Sequence, residues 1–366
     1  SSIVTDDFIL SSPKQSAQIY VPADEPKVVT IAADALSHDI QDVSGRLPQV
    51  VSNISNAERD VVIIGTVSNP FIRNLCKEYA LPDIKNQWER FIIRVLNNKK
   101  HPSKKILLIA ASDPRGAAFG VFTVSRLIGV SPWKWWADVT PDKKSVVSVS
   151  KDIHVDEAPA VKYRGIFIND EDWGWRPWAS KTLDPKTGNI GPKTYAHVFE
   201  LLLRLKANLI WPAMHPGTNA FFSYPGNIQM AKDYDIVVSS SHAEPMLRNN
   251  VGEWNEKTMG AFNYLTNRDS IDKYWESRVK ESKGLEAIYS VGMRGVHDSQ
   301  MEGVKKLKDA VPLLERVFSD QRNMLAQYIN KDVTKVQKAF TIYKEVLDIY
   351  DKGLKVPDDI RLVWPD

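Results

Sequence analysis

Carboxylates and tryptophans cluster in residues 161–178 of this 366-residue chain, which read VKYRGIFINDEDWGWRPW. A strand-like apolar run at 163–168 ends there, and the polar and aromatic residues that follow are Asn169, Asp170, Glu171, Asp172, Trp173, Trp175 and Trp178. Carboxylates at the end of a buried strand cost free energy unless they are used or solvated. Indole rings offer flat apolar faces to the C–H groups of a sugar. The segment suggests a carbohydrate site, and the alternative is a solvated acidic loop with tryptophans in the core.

Other predicted strands also end in groups that could do chemistry. In chain order these groups are Trp211, His215, His242, Glu244, Arg294, His297, Asp298 and Asp366. Each has an ordinary explanation: His215 could cap a turn, and His242 with Glu244 could be a satisfied pair within a loop. Because the carboxyl ends of neighbouring parallel strands meet at one face, their joint position predicts a common pocket.

Arg294 and Asp298 form the most specific pair, within SVGMRGVHDSQME at 290–302. Gly292 and Gly295 would let the backbone turn and approach closely. The arginine fork binds a planar carboxylate through two parallel hydrogen bonds, and a nearby aspartate could act as general base on water. The alternative is an internal ion pair between Arg294 and Asp298.

Hydrolysis of a glycoside uses two carboxyl groups that flank the scissile bond, about 6.5–9.5 Å apart when the configuration inverts. The chain offers several at predicted strand ends or nearby, namely Asp172, Glu244, Asp298, Glu345 and Asp366. Glu345 lies in a helical pattern at 343–350, where a solvated helix face is the ordinary explanation.

A metal-dependent hydrolase is the rival chemistry, because His215, His242, Glu244, His297 and Asp298 are metal-ligand types. The first predicted strand, however, ends in NDED without a His-x-His pair, and the sequence has no HExxH motif. The Gly-rich run DPRGAAFG lacks the GxGxxG pattern of a dinucleotide loop. We therefore expect neither a metal nor another cofactor.

The second half of the chain must position these groups, and short apolar strands alternate there with longer helical patterns. Strands are predicted at 163–168, 208–212, 235–240, 286–292 and 360–364, and helices at 192–206, 226–234, 254–283 and 303–353, the last broken near Lys331. This order predicts a parallel sheet. We expect the first part of a (β/α)8 TIM-type barrel over 156–366, ending after strand five as in a fragment of a longer protein; an open doubly wound sheet is the alternative.

The first half predicts a small α+β domain over residues 1–155. Its predicted strands are 17–20, 27–31, 60–64, 90–96 and 105–110, and its predicted helices are 32–44, 69–78 and 113–127. The polar stretch 141–158 is interpreted as a linker or a final edge strand.

Composition excludes several classes of protein. The net charge is +3 with interspersed signs, so nucleic acid is not an expected partner, and one cysteine, Cys76, excludes an internal disulfide framework. No run approaches the ~20 apolar residues of a membrane span. The chain opens with SSIVTDD rather than Met. We interpret this start as a removed leader or a trimmed sequence, and expect a periplasmic or extracellular protein.

The strand-end motifs resemble those of glycoside hydrolase family 115, the xylan α-1,2-glucuronidases. The matching runs are YRGIFINDEDWGW, LKANLIWPAMHPG, VVSSSHAEPM, YSVGMRGVHD and IRLVWPD, between 163 and 366. The run 113–138 is more loosely similar to the small α+β domain that precedes the barrel in glucuronidases and hexosaminidases.

The resemblance implies release of glucuronic acid, or its 4-O-methyl ether, from glucuronoxylan with inversion and without a metal. It implies roles for Asp172, His242, Arg294 and Asp298, with Glu345 as the second acid. It also implies a longer protein with a complete barrel and further domains, which could form a homodimer.

The residues fit such a substrate. We expect Asp298, Glu345 and Asp172 to be catalytic and Arg294 to bind the uronate carboxylate. The other residues expected to contact substrate are His242, His215, Trp173, Trp175, Trp211, Asn169 and Glu244. A non-catalytic carbohydrate-binding protein would need the tryptophans without converging carboxylates, and a structural scaffold would need neither.

Overall fold

The computed structural model describes residues 6–54 and 60–365, which form two compact units. The first unit contains the chain up to Arg164 together with Val198–Asn208 and Asp233–Asp235. The second contains Gly165–His197, Leu209–Lys232 and the chain from Ile236 onward. No helix in the described ranges is long and apolar enough to cross a membrane.

The first unit is a mixed sheet with helices. Its described strands are β1 (Phe8–Ser11), β2 (Gln18–Tyr20), β3 (Val50–Val51), β4 (Val61–Thr66), β5 (Phe91–Asn97), β6 (Lys105–Ala111), β7 (Val147–Val149) and β8 (His154–Glu157). Six of them form a sheet in the order β3-β2-β4-β6-β5-β8, and β1 pairs with β7. The stretch 141–158 thus contains β7 and the edge strand β8. The described helices are α1 (Lys27–Ser44), α2 (Pro70–Glu78) and α3 (Pro114–Leu127).

One predicted strand of this unit, 27–31, is wrong, because the segment forms the first turns of α1. The β-branched residues Val28 and Val29 favoured a strand. Burial, however, follows helical spacing from the first turn on, through Val28, Val29, Ala32, Ala33, Leu36, Ile40 and Val43. Tertiary packing of one apolar helix face therefore overrides the local β-propensity.

The Gly-rich run at 113–120 begins α3 in the described structure. Asp113 caps the helix by accepting a hydrogen bond from the Gly116 amide at 2.8 Å. A Cβ on Gly120 would lie 2.6 Å from Ile109 Cγ2, so only glycine lets α3 pack this closely on the sheet. The glycines here serve helix–sheet packing.

The second unit is built on parallel strands that neighbour each other in chain order. Its described strands are β9 (Gly165–Phe167), β10 (Leu209–Trp211), β11 (Val237–Val238), β12 (Tyr289–Ser290), β13 (Lys338–Thr341) and β14 (Arg361–Val363). β9, β10 and β11 pair in parallel, as do β12, β13 and β14. A parallel bridge between Val238 and Ala287 links the two groups. The expected α/β architecture with parallel pairing is therefore present.

The described helices between these strands are α4 (Trp175–Thr182), α5 (Pro192–Arg204), α6 (Pro225–Asp233), α7 (Asn250–Glu253), α8 (Glu256–Met259), α9 (Arg268–Glu281), α10 (Leu307–Tyr328) and α11 (Glu345–Asp351). The predicted single helix 254–283 is wrong, because Gly260 (φ +83°) and the turn after it separate α8 from α9.

The strand β13 is absent from the predicted elements, because the sequence predicts helices over 303–353 with a break near Lys331, and this prediction is wrong at 338–341. Lys338 opens the strand and hides its apolar pattern, yet its side chain is fully buried. The ammonium group donates to the Val336 carbonyl at 2.6 Å and pairs with Asp359 at 3.0 Å. A buried lysine is tolerated when its charge is paired and its hydrogen bonds are made.

Candidate active site

A side chain of helix α10, Gln321, holds the turn that follows β12. The buried side-chain amide of Gln321 accepts from the Gly292 N–H and donates to the Gly292 carbonyl, both at 2.8 Å. Gly292 has φ +94°, and a Cβ there would lie 2.7 Å from the Phe340 ring, so glycine is required. This clamp sets the path of the chain two residues before Arg294.

Arg294 is 3% exposed, and two carboxylates hold its guanidinium. Its Nε donates to Glu345 Oε1 at 2.8 Å and its Nη2 to Glu345 Oε2 at 2.7 Å. Its Nη1 donates to Asp298 Oδ1. The internal ion pair with Asp298, the alternative interpretation of the sequence, is therefore present, and Glu345 takes the bidentate position expected for a substrate carboxylate.

Asp298 accepts hydrogen bonds from three side chains. Besides Arg294, Lys344 donates to Oδ2 at 2.5 Å, and His242 Nε2 lies 3.1 Å from Oδ1. Partial burial acts to raise the pKa of Asp298, but the hydrogen bonds and charges of Lys344 and Arg294 outweigh it and hold this pKa well below the usual range. Asp298 is therefore a carboxylate at neutral pH.

His242 follows β11 and reaches Asp298 from the other side. Its ring packs edge-on against Tyr343 with centroids 4.7 Å apart. Burial is the largest cause that lowers its pKa, opposed by the Asp298 charge. A neutral imidazole is therefore favoured, and its N–H must be the donor because an ionised carboxylate only accepts. We call His242, Arg294, Asp298, Lys344 and Glu345 the Asp298 cluster.

Lys344 and Tyr343 belong to this site and were not predicted from the sequence. Both lie between β13 and α11, so the missed strand concealed their position. Glu345 is the first residue of α11, as its helical pattern predicted. A usable signal was the polar triplet YKE directly after the apolar run AFTI.

A second group gathers at the ends of β9 and β10. His215 Nδ1 lies 2.7 Å from Asp172 Oδ1, and the His215 amide donates to Glu171 Oε1 at 2.7 Å. The hydrogen bond from His215 lowers the pKa of Asp172. We call Glu171, Asp172 and His215 the His215 cluster.

The His215 cluster consists of residue types that can ligate a metal ion. One ligand atom from each of its residues lies within 4.8 Å of the others. The His215–Asp172 hydrogen bond accounts for the closest of these approaches without an ion. The expectation of a metal-free protein stays a prediction.

Glu244 and Glu171 are buried carboxyl groups, 6% and 2% exposed. Burial raises the pKa of Glu244 to about 8, and the Ser241 hydroxyl donates to its Oε1 at 3.1 Å. Glu244 therefore holds a proton at neutral pH inside the second unit. Its burial does not fit the predicted contact with substrate.

The predicted aromatic platforms differ in exposure. Trp173 is 86% exposed, whereas Trp175 and Trp211 are half-buried and pack edge-on against Tyr195 and Phe167. Trp173 is thus the indole most available to a sugar. Asn169 and His297 are exposed, and Asp366 lies outside the described residues.

The structure therefore gathers the predicted residues into two clusters at the carboxyl ends of parallel strands. Asp172 joins His215, whereas His242, Arg294, Asp298 and Glu345 join one another through direct hydrogen bonds. That both clusters face one cleft stays a prediction.

Comparisons with known proteins identify the family of this chain. Residues 156–366 match the family model Glycosyl hydrolase family 115. A solved family GH115 4-O-methyl-α-glucuronidase with specificity for decorated arabinogalactans is 44% identical over 97% of this chain, with a TM-score of 0.87. This chain covers 46% of that protein. A comparison with curated proteins finds no match.

A more distant solved structure shares the fold alone. The GH20 β-N-acetylhexosaminidase from Streptomyces coelicolor A3(2) is 10% identical, with a TM-score of 0.55. The match covers 98% of this chain and 67% of that one.

Proposed function

The chain belongs to glycoside hydrolase family 115, and we propose that it is the catalytic part of an α-glucuronidase. The proposed reaction releases glucuronic acid, or its 4-O-methyl ether, from a plant polysaccharide. The Asp298 cluster carries this proposal, because it holds two carboxyl groups at strand ends in one hydrogen-bonded network. Glycoside hydrolysis uses two carboxyl groups that flank the scissile bond, and we propose Asp298 as one of them and Glu345 or Asp172 as the other.

The proposed mechanism inverts the anomeric configuration. Asp298, kept ionised by its cationic neighbours, is the general base that takes a proton from the attacking water. Glu345 or Asp172 is the general acid, and it must take up a proton before it can protonate the leaving oxygen, because both carboxyl groups now accept hydrogen bonds, from Arg294 and His215 respectively. Arg294 acts as a positioning residue that aligns Asp298 and Glu345, since three of its N–H groups already donate to them.

We also propose that β9–β14 are the first six strands of a (β/α)8 barrel. Sequential parallel neighbours joined by helices support this architecture. Barrel enzymes place their active sites at the carboxyl ends of the strands, where both clusters lie.

Two polysaccharides are candidates for the substrate. Glucuronoxylan is implied by the resemblance of the sequence motifs to the family's xylan α-1,2-glucuronidases, and a decorated arabinogalactan is favoured by the specificity of the 44% identical enzyme. Because such polymers are outside the cytoplasm, we propose a periplasmic or extracellular location.

The test uses the protein in its natural full length, with chelator present. We expect uronic acid release from one of the two polysaccharides, with the β-anomer of the product appearing first by NMR. The Asp298→Asn variant should bind the polysaccharide without releasing uronic acid. Binding without release by the unmodified protein would instead support a carbohydrate-binding function, and an initial α-anomer would contradict inversion.

A further inference from the structure

A uronate substrate needs a cation, and the structure offers one that the sequence motifs did not. The Arg294 side chain is 4% exposed and occupied by Glu345 and Asp298. The Lys344 side chain, in contrast, is 48% exposed. Its ammonium group already binds a carboxylate, Asp298 Oδ2, at 2.5 Å. Lys344 therefore combines access to solvent with a place beside the proposed base.

The backbone at Lys344 is unusual for a lysine. Its φ is +51° and its ψ is −126°, a conformation that suits glycine and costs other residues about 1–3 kcal/mol. Strain of this kind persists where surrounding structure or function requires the residue. Here the strained residue sits between Tyr343, whose ring lies 5.2 Å from the ammonium group, and Glu345.

The charges of the Asp298 cluster also favour an incoming anion at Lys344. With a neutral His242, Arg294 and Lys344 balance Asp298 and Glu345. Arg294 alone retains hydrogen bonds to both carboxylates. Lys344 can therefore leave Asp298 without leaving that carboxylate unpaired.

We propose that Lys344 is a specificity-determining residue that moves its hydrogen bond from Asp298 to the carboxylate of the bound uronate. This inference rests on the proposed glucuronidase function. The exchange links recognition to catalysis: Asp298 loses one cationic donor when the substrate is in place and becomes a stronger base towards water. A neutral hexose would leave Lys344 on Asp298.

The test compares binding of D-glucuronate with that of its neutral analogue D-glucuronamide, by calorimetry on the natural full-length protein. The unmodified protein should prefer glucuronate. Lys344→Met should lose most of that preference, by about 10- to 150-fold, the usual effect of a hydrogen bond to a charged group. Lys344→Arg should keep part of it, and Lys352→Met, an exposed lysine at the end of α11, should keep all of it.

A second variant guards against misfolding. Lys344→Gly removes the ammonium group and relieves the positive φ, so it should fold at least as stably as the unmodified protein. It should nevertheless lose the preference for glucuronate. If Lys344→Gly is folded and still prefers glucuronate to the amide, the proposal is overturned.

The outcome for the unmodified protein separates this inference from the proposed function. If the unmodified protein neither releases uronic acid nor binds glucuronate, the proposed glucuronidase function is overturned. If the unmodified protein releases uronic acid and both Lys344→Met and Lys344→Gly keep its preference for glucuronate, only the role of Lys344 is overturned.

Discussion

Arg294 and Glu345 form a fork-to-fork ion pair, with Nε–Oε1 at 2.8 Å and Nη2–Oε2 at 2.7 Å. The two residues lie 51 positions apart and connect the turn after β12 to the first turn of α11. Their side chains are 4% and 11% exposed. The pair therefore orients a proposed catalytic carboxyl group by geometry as well as by charge.

Replacing Arg294 should separate positioning from substrate binding. Arg294→Lys keeps the charge but loses the fork, so we expect kcat to fall about 100-fold with little change in KM. Arg294→Ala leaves Glu345 and Asp298 without this buried partner and should cost about 3–5 kcal/mol in urea unfolding. Arg316→Lys is the control, because the Arg316 side chain is 57% exposed. A large rise in KM at unchanged kcat for Arg294→Lys would return Arg294 to the role of substrate clamp.

Gln321 should matter although it lies on α10, away from the reacting groups. Gln321→Met leaves the buried N–H and carbonyl of Gly292 without their partner, at a cost of about 1–3 kcal/mol for each unsatisfied group. Activity should fall as well, because the turn that carries Arg294 loses its clamp. Thermal unfolding and kcat are the measurements, and Gln327→Met, exposed on the same helix, is the control. Equal behaviour of the two variants would show that the clamp is dispensable.

Glu244 should make stability depend on pH in the neutral range. Its pKa is raised from 4.5 to about 8 by burial, so the folded state binds this proton more tightly than the unfolded state. Its contribution is complete below pH 4.5 and declines as the pH rises towards 8, by at most about 1.4 kcal/mol per pH unit. The free energy of unfolding in urea should fall less between pH 5 and pH 8 for Glu244→Gln than for the unmodified protein.

The control for this comparison is Glu256→Gln, an exposed position in α8. Its unfolding free energy should follow the unmodified protein at both pH values. If the free energy of unfolding falls as much between pH 5 and pH 8 in Glu244→Gln as in the unmodified protein, Glu244 is ionised in the folded state and the prediction is wrong.

The general acid can be identified with leaving groups of different quality. An aryl α-glucuronide with an acidic phenol needs little protonation, so loss of the acid should slow its hydrolysis far less than that of the polysaccharide. Glu345→Gln and Asp172→Asn are compared on both substrates, with Asp298→Asn as the variant expected to fail on both. A variant that is rescued by the acidic phenol identifies the acid. If each of Glu345→Gln and Asp172→Asn slows hydrolysis of the two substrates equally, neither residue is the general acid.

Local sequence patterns are enough to predict which strand ends carry polar groups and which family these motifs resemble. Local patterns correctly predict the strands β9 and β10 and the helix that begins at Glu345. They can do so because apolar periodicity and an adjacent polar motif are properties of neighbouring residues. They failed at β13, where Lys338 interrupts the apolar pattern yet is buried, and its charge is paired with Asp359.

Which charged groups meet depends on tertiary packing. Residues 290–302 alone allowed Arg294 to bind either a substrate or an internal carboxylate. The register of β12 beside β13 brings Glu345 to Arg294, and the strained turn after β13 brings Lys344 to Asp298. The polar motifs that contain Glu171 and Glu244 likewise do not predict that these two side chains are buried. Such pairings depend on free energies of desolvation and charge that arise only when residues distant in the chain are packed together.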